Sequence, residues 1–289
     1  MANARDAENE PTKPNWWILG GSSAFVLFTL TVGLGGVPYR EEIVFAGSMS
    51  IVLFLMSKLV QELEPDKRLT LVGTAAVIFA LRAIPGPGPG STWWMIDDLK
   101  FDQQFLSVLS LIGGILALVG MFAFRRFMAE RSIMYVVGFL AVVGTILSLP
   151  IVGMYYGLHE WTAKATGGVV DARFIALIDT ALESPLVQIS MIPMLAWIAN
   201  SAPANLKATF FAVMASFTNL ALSFSQLGTK YLNEIFAVTR GVRDQATGAI
   251  QTPADYSQLG DLLITQLMIG LALPFSAILF AKLMKFKSA

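Results

Sequence analysis

An all-α integral membrane protein of about eight transmembrane helices is the fold class that this sequence predicts, and three observations predict it. The chain of 289 residues is 55% hydrophobic and 14% charged, with a mean hydropathy of +0.64; a soluble domain carries about 25% charged residues. Apolar runs of about 20 residues, the length that crosses a bilayer, follow one another along the chain. The longest polar connections are only 158–171 and 237–255, so no soluble domain is expected.

Residues 1–15, MANARDAENEPTKPN, are polar, acidic and proline-bearing. They lack the basic-then-apolar order of a cleaved signal peptide and read as a short disordered cytoplasmic lead. Membrane segments are expected at 16–37, 43–63, 69–99 (interrupted), 103–124, 133–157, 173–200, 206–236 and 256–285. The first two make a hairpin, 16–64, ahead of a six-helix unit, 69–289. Trp16, Trp17, Trp93, Trp94, Tyr155, Tyr156 and Trp161 fall near segment ends, where amphipathic rings settle at the membrane interface.

The third segment is broken. Its first half carries Arg82 near its end and runs into Pro85, Gly86, Pro87, Gly88, Pro89 and Gly90; a short amphipathic piece, 93–99, follows. Alternate prolines remove three backbone donors and forbid a regular helix. Irregular backbone at membrane depth survives only inside protein or beside a water-filled cavity, and transporters place substrates and coupling ions at such breaks. The PGPGPG stretch is therefore a candidate gate. An unpaired Arg at the bilayer centre costs about 2.5–3.5 kcal/mol even on the lenient insertion scale, so Arg82 is expected to face a cavity and hold the carboxylate of an anionic ligand. The alternative is that the helix ends at Ile84 and Arg82 reaches outward to the headgroups.

Asp97, Asp98 and Asp102 follow. Clustered aspartates beside a membrane can hold Mg²⁺ against a diphosphate, but such transferases need a second acidic cluster, which the sequence lacks. Asp102 fits better as the cap of the fourth segment. In that segment Ser107, Ser110, Gly113, Gly114, Ala117 and Gly120 form a small-residue stripe suited to close helix packing. Arg125, Arg126 and Arg131, with Glu130, mark a tight cytoplasmic turn.

On the sixth segment Asp179 and Glu183 lie four apart, on one helix face. Carboxylates this close repel, and in an apolar setting one tends to hold a proton. They are the candidates for proton coupling, with Arg82 as their counter-ion; a wet, structural pair leaning on Arg173 is the alternative. Pro185 and Pro193 should kink this helix. The seventh segment carries Thr209, Ser216, Asn219, Ser223 and Gln226 at successive spacings of seven, three, four and three, again one helix face. Such a face lines a polar path or glues helices together; the amides of Asn219 and Gln226 are long enough to reach a heterocyclic ligand.

Cysteine is absent and His159 is the only histidine, so no disulfide, thiolate metal site or His-based cluster can form. There is no phosphate-binding loop, dinucleotide fingerprint or basic nucleic-acid stripe. No enzyme, cofactor, metal or nucleic-acid partner is expected. With the N-terminus in the cytoplasm, most of the 20 Lys and Arg residues lie on the inner side, as the positive-inside rule requires. Both termini are then cytoplasmic, in what reads as a bacterial inner membrane.

The last six segments, with the basic hairpin Phe124-Arg125-Arg126-Phe127-Met128-Ala129-Glu130-Arg131, resemble one half of a major facilitator superfamily transporter. Two stretches are similar to the folate–biopterin transporter family. One is Phe101-Asp102-Gln103-Gln104-Phe105-Leu106 leading into Leu111-Ile112-Gly113. The other runs from Met191-Ile192-Pro193-Met194 through Ala202-Pro203-Ala204-Asn205-Leu206-Lys207-Ala208-Thr209-Phe210-Phe211-Ala212 to Ser216-Phe217-Thr218-Asn219-Leu220. The resemblance covers roughly 70–285. It implies secondary transport of a small organic anion, folate- or pterin-like, by symport with protons. The family's transporters have two six-helix halves, and the first has no counterpart here. The chain is therefore expected to be a split half that needs a homodimer or a partner, or a piece of a longer protein, with the small-molecule substrate and the lipid bilayer as the remaining partners. The reading from a different class is a non-transporting assembly or scaffold subunit, as in pigment–protein biogenesis.

Overall fold

The computed structural model describes residues 16–187, 189, 207–243 and 250–286. The 1–15 lead, Pro193, most of the second motif stretch and the end of the sixth expected segment lie outside the described residues.

The chain is helical. Helix α1 (Trp16–Leu34) and α2 (Arg40–Gln61) form the expected hairpin. Gly21 and Gly47 let Leu55 of α2 and Phe28 of α1 close the gap, since a Cβ there would lie within 2.6 Å and 2.1 Å of those side chains. Helix α3 (Pro65–Arg82) opens on a proline at its first turn, where the missing N–H has no intrahelical role. Arg68 of α3 donates through Nε to the Leu63 carbonyl at 2.6 Å and through a terminal nitrogen to that of Gln61, satisfying orphan carbonyls at the end of α2.

Helix α3 stops where the prolines begin, and α4 (Pro89–Asp97) restarts after an extended link. Helix α5 (Gln103–Ala123) is capped by Asp102, whose carboxylate accepts from the Phe105 N–H at 2.8 Å. A single-turn helix, α6 (Arg125–Glu130), fills the basic turn, with Arg126 paired to Glu130. The fifth expected segment is divided, because α7 (Ile133–Leu147) gives way to α8 (Leu149–Tyr155). Pro150 at the start of α8 lacks the N–H that a continuous ladder needs.

The connection 158–171 is not the plain polar loop the sequence suggests. It contains α9 (Leu158–Ala165), closed by the Gly168 N–H donating to the Ala163 carbonyl at 2.7 Å, with Gly167 at φ +64°. Such a left-handed glycine terminates helices cheaply. His159 here is half-buried. Helix α10 (Ala172–Glu183) is capped by Asp171 and ends in a 3₁₀ turn, Ser184–Leu186, around Pro185. Helix α11 (Lys207–Ile235) and α12 (Leu259–Leu283) complete the set. Between them a short antiparallel hairpin pairs β1 (Val242–Arg243) with β2 (Ile250–Thr252).

Six described helical stretches are long and apolar enough to span a bilayer by themselves: Trp16–Leu34, Arg40–Gln61, Gln103–Ala123, Ile133–Tyr155, Lys207–Ile235 and Leu259–Leu283. Their outward faces bear residues such as Leu111, Phe122 and Leu283, each more than 60% exposed. Apolar surface of this extent marks contact with hydrocarbon or with another protein. Among the described residues the interior has two large apolar clusters and a small third one around Met128, Val136 and Ile189. One joins Leu55 and Leu59 of α2 to Leu71 and Ile78 of α3, Val137 of α7, Met214 and Phe217 of α11 and Ala281 of α12. Helix α2 is thus built into the same core as the later helices. The other gathers Trp94, Phe101, Met154, Ala176, Leu232 and Leu262. Lys230 of α11 pairs with Glu41 and Glu42 at the start of α2, at 3.4 and 2.8 Å, so those two helix ends share one face of the molecule.

The small-residue stripe on α5 serves close packing at particular points. A Cβ on Gly120 would lie 2.0 Å from the Pro185 carbonyl oxygen and 2.5 Å from its Cα, and one on Gly113 would lie 3.1 Å from Ser184 Oγ, while Gly114 meets nothing within 4 Å. Backbone cannot retreat as a side chain can, so Gly120→Ala should cost about 1–3 kcal/mol, the usual range for overpacking. Gly114→Ala should be neutral or slightly stabilising. Thermal unfolding of the two variants in one detergent checks the contrast.

Candidate functional site

The broken segment is fastened in place. Ile84, Gly86 and Pro87 present polar backbone groups that no helix uses, and α11 supplies partners from one of its faces. Ser225 Oγ donates to the Ile84 carbonyl at 2.6 Å, the Gly86 N–H donates to Thr229 Oγ1 at 2.8 Å, and Asn233 Nδ2 donates to the Pro87 carbonyl at 3.4 Å. The three residues are spaced four apart, so they share one side of the helix. Gly228 lets α11 approach, with Pro85 Cβ 3.1 Å from where a side chain would start. Gly88 has φ +74° and a would-be Cβ 2.5 Å from the Asn233 amide, and one on Gly90 would fall 2.6 Å from Val238. Both requirements select glycine. This polar face is distinct from the one the spacing of Thr209, Ser216, Asn219, Ser223 and Gln226 picks out. An i, i+4, i+8 series opposite a proline–glycine run was the available signal.

The link leads into α4 beside a cavity of about 570 Å³. Pro87, Ser91 and Thr92 line it from the break and α4; Gln103, Leu106 and Ser110 from α5; Ser148 and Ile151 from the α7–α8 junction; Asp179, Thr180 and Glu183 from α10; Leu263 and Gln266 from α12. The two carboxylates chosen from sequence therefore stand in one chamber with the discontinuous helix. Asp179 is 8% exposed, and its Oδ1 has no hydrogen-bond partner among the described residues. Gln103 and Gln266 were not singled out as site residues; isolated glutamines on otherwise apolar helices were the clue.

Other expected partners lie elsewhere. Arg82 is the half-buried last residue of α3. It is not among the cavity's lining residues, and among the described residues its Nε has no hydrogen-bond partner and it joins no ion pair. The expected pairing of Arg82 with Asp179 or Glu183 is not formed: Arg82 ends α3 outside the chamber that the two acids line. Arg173 does not serve them either: it pairs with Asp102 at 2.7 Å and lies over the Phe105 ring. Gln226 and Ser223 face a different cleft of about 510 Å³, formed with Phe25, Thr29, Glu41 and Ser48 of α1 and α2. Asn219 is exposed on α11.

At the end of α5, the Phe105 N–H and the Arg173 guanidinium hold the Asp102 carboxyl below its ordinary range. A lowered pKa means that the ionised cap stabilises the fold above the unfolded value of about 4, and that this contribution disappears as pH falls through the lowered folded value. Asp97 is tied in separately, accepting from the Tyr256 hydroxyl. Among the described residues no three acidic or imidazole side chains come together as a metal site.

The chain is a polytopic helical membrane protein in which a proline-broken helix stands beside an acidic, amide-bearing chamber. Residues 43–287 match the BT1 family, and the chain belongs to it. It is 26% identical over 157 residues to a folate-biopterin transporter of Synechocystis sp., a match covering 54% of this chain and 31% of that protein. The chain thus matches about a third of the length of that relative. No solved structure matches it.

Two consequences of the fastening and the cap can be measured. Thr229→Val, nearly isosteric, strands the Gly86 N–H and should cost about 1–3 kcal/mol, whereas Ser223→Ala on the other face of α11 should change stability little; thermal unfolding in detergent separates them. Asp102→Asn keeps a capping oxygen but cannot titrate, so stability between pH 5 and 3 should become flatter than in the unsubstituted protein.

Proposed function

We propose that this chain carries a folate- or pterin-like organic anion across a membrane as a proton-coupled secondary transporter. Residues 69–289 act as one six-helix half of the major facilitator type behind a two-helix hairpin, and a second copy or a partner chain completes the pathway. The setting is a bacterial inner membrane with both termini in the cytoplasm. Membership of the BT1 family and the relative's name support the substrate class. The observation that carries the reading is the chamber of about 570 Å³ in which the break between α3 and α4 meets Asp179 and Glu183. Ionisable groups within membrane segments mark ion and substrate pathways, and broken helices mark binding sites.

In this reading Asp179 and Glu183 take and release the coupled proton, one helical turn apart, and the amides and hydroxyls around them replace water for the substrate. Arg82 attracts the substrate's carboxylate. It lies five residues before Pro87, so its backbone is within about 17 Å of the chamber's edge even if the link were fully extended. Three hydrogen bonds tie the link to α11, so the break and α11 shift together during alternating access, and the gate operates where Gly88 to Gly90 enter α4. Asn219 and Gln226 face away from this chamber and have no role in it.

Uptake of a folate by proteoliposomes under an inward proton gradient tests the proposal. The unsubstituted protein, together with whatever second half co-purifies, should concentrate the compound and lose the gradient-driven part when the gradient is collapsed. Asp179→Asn should abolish the response to the gradient, and Arg82→Ala should lower uptake tenfold or more at unchanged protein level. Normal gradient-driven uptake in Asp179→Asn would sink the coupling assignment. Flux unaffected by either change, with loss of a co-purifying partner, would favour an assembly subunit instead.

A further inference from the structure

The chemistry of the chamber says which end of a substrate it can receive. Among its described lining residues are two carboxylates, the amides of Gln103 and Gln266 and several hydroxyls, but no Lys, Arg or His. Asp179 is more than nine-tenths buried, and its Oδ1 has no donor among the described residues. A buried carboxylate oxygen without a donor is expensive, and a ligand that supplies one gains what the protein lacks. An anionic group brought to the same place would meet like charge in a poorly screened setting. The walls on either side are apolar, with Met95, Leu106, Leu109 and Ile151 among them, which suits a flat ring. The volume of about 570 Å³ lies within the range for small-molecule sites, about 300–1,000 Å³.

We propose that the Asp179–Glu183 end of this chamber binds the N–H donor edge of a flat amino-heterocycle, with an adjacent ring N–H and amino group donating to one carboxylate. The amides of Gln103 and Gln266 read the remaining donors and acceptors of the ring. The paired geometry is that of a guanidinium on a carboxylate, two parallel N–H···O bonds in a plane. Any carboxylate tail of the substrate points away from this end. The inference rests on the transport reading for its substrate class, but it concerns recognition, which binding alone can report.

Equilibrium binding to the purified full chain in lipid nanodiscs, followed by the intrinsic fluorescence of the probe, is the test. Three probes separate the features: 2-amino-4-oxopteridine, which carries the donor edge and no carboxylate; 2,4-dioxopteridine, in which the amino donor is replaced by a carbonyl acceptor; and p-aminobenzoylglutamate, which has the anionic tail and no fused ring. The amino compound should bind, the dioxo compound should bind at least tenfold more weakly, and p-aminobenzoylglutamate should not displace the amino compound. Asp179→Asn should weaken the amino compound tenfold or more and narrow its advantage over the dioxo compound; Glu183→Gln is the second variant. If neither variant folds, the comparison of the two pteridines on the unsubstituted chain still decides. Equal affinity for the two pteridines, displacement by the tail compound, or no binding of the amino compound overturns the inference. Selective, Asp179-dependent binding without any uptake would leave it standing while the transport reading fails. Uptake that needs Asp179 but with no preference for the amino edge would do the reverse.

Discussion

Inside a bilayer a backbone N–H or C=O has no water to turn to, and this constraint shapes the molecule more than any other. Three prolines at alternate positions make a regular helix impossible between Ile84 and Gly88, so polar groups of the link need partners from elsewhere. Helix α11 answers with Ser225, Thr229 and Asn233 on one face. The glycines at 88, 90 and 228 bring the two strands of structure close enough for these bonds to form. With the link held, α4 restarts beside α5, α10 and α12, and the chamber exists because a straight helix does not pass through it.

The chamber and the cleft on the other side of α11 divide the polar chemistry of the protein. One contains carboxylates, amides and hydroxyls around a largely buried Asp179; the other sets Gln226 and Ser223 against α1 and α2. A single helix thus presents two polar faces, one to the link and one to the cleft, where Lys230, one turn beyond Gln226, pairs with the acidic start of α2. Apart from Lys230, both use hydroxyl or amide side chains at helical spacing, which cost little within a membrane when they have a partner.

Much of the architecture was legible beforehand. Apolar runs long enough to cross a bilayer located most of the described membrane helices to within a few residues, and Asp102 as a cap and the break after Arg82 followed from local chemistry that does not depend on neighbours; Pro185, expected only to kink its helix, stands where α10 gives way to a 3₁₀ turn. The residues that surround the break were not legible, because Ser225, Thr229 and Asn233 differ from the stripe at Thr209 to Gln226 only in which way they face. The joining of α2 to the later helices through Leu55, Leu71 and Phe217 was likewise hidden, since apolar contacts between distant segments leave no periodic trace.

By itself the sequence determined that the chain is helical and membrane-embedded, that its third helix breaks, and that Asp179 and Glu183 share a face. Hydropathy, ring constraints and helical period operate within a few residues, and a linear reading captures them. Only the tertiary structure decided that the two acids meet the break in one chamber, that Arg173 belongs to Asp102, and that Arg82 stands apart from the acids it was expected to balance. Charge pairing depends on distance in space, which falls off over a few ångströms, and a sequence records order along the chain instead.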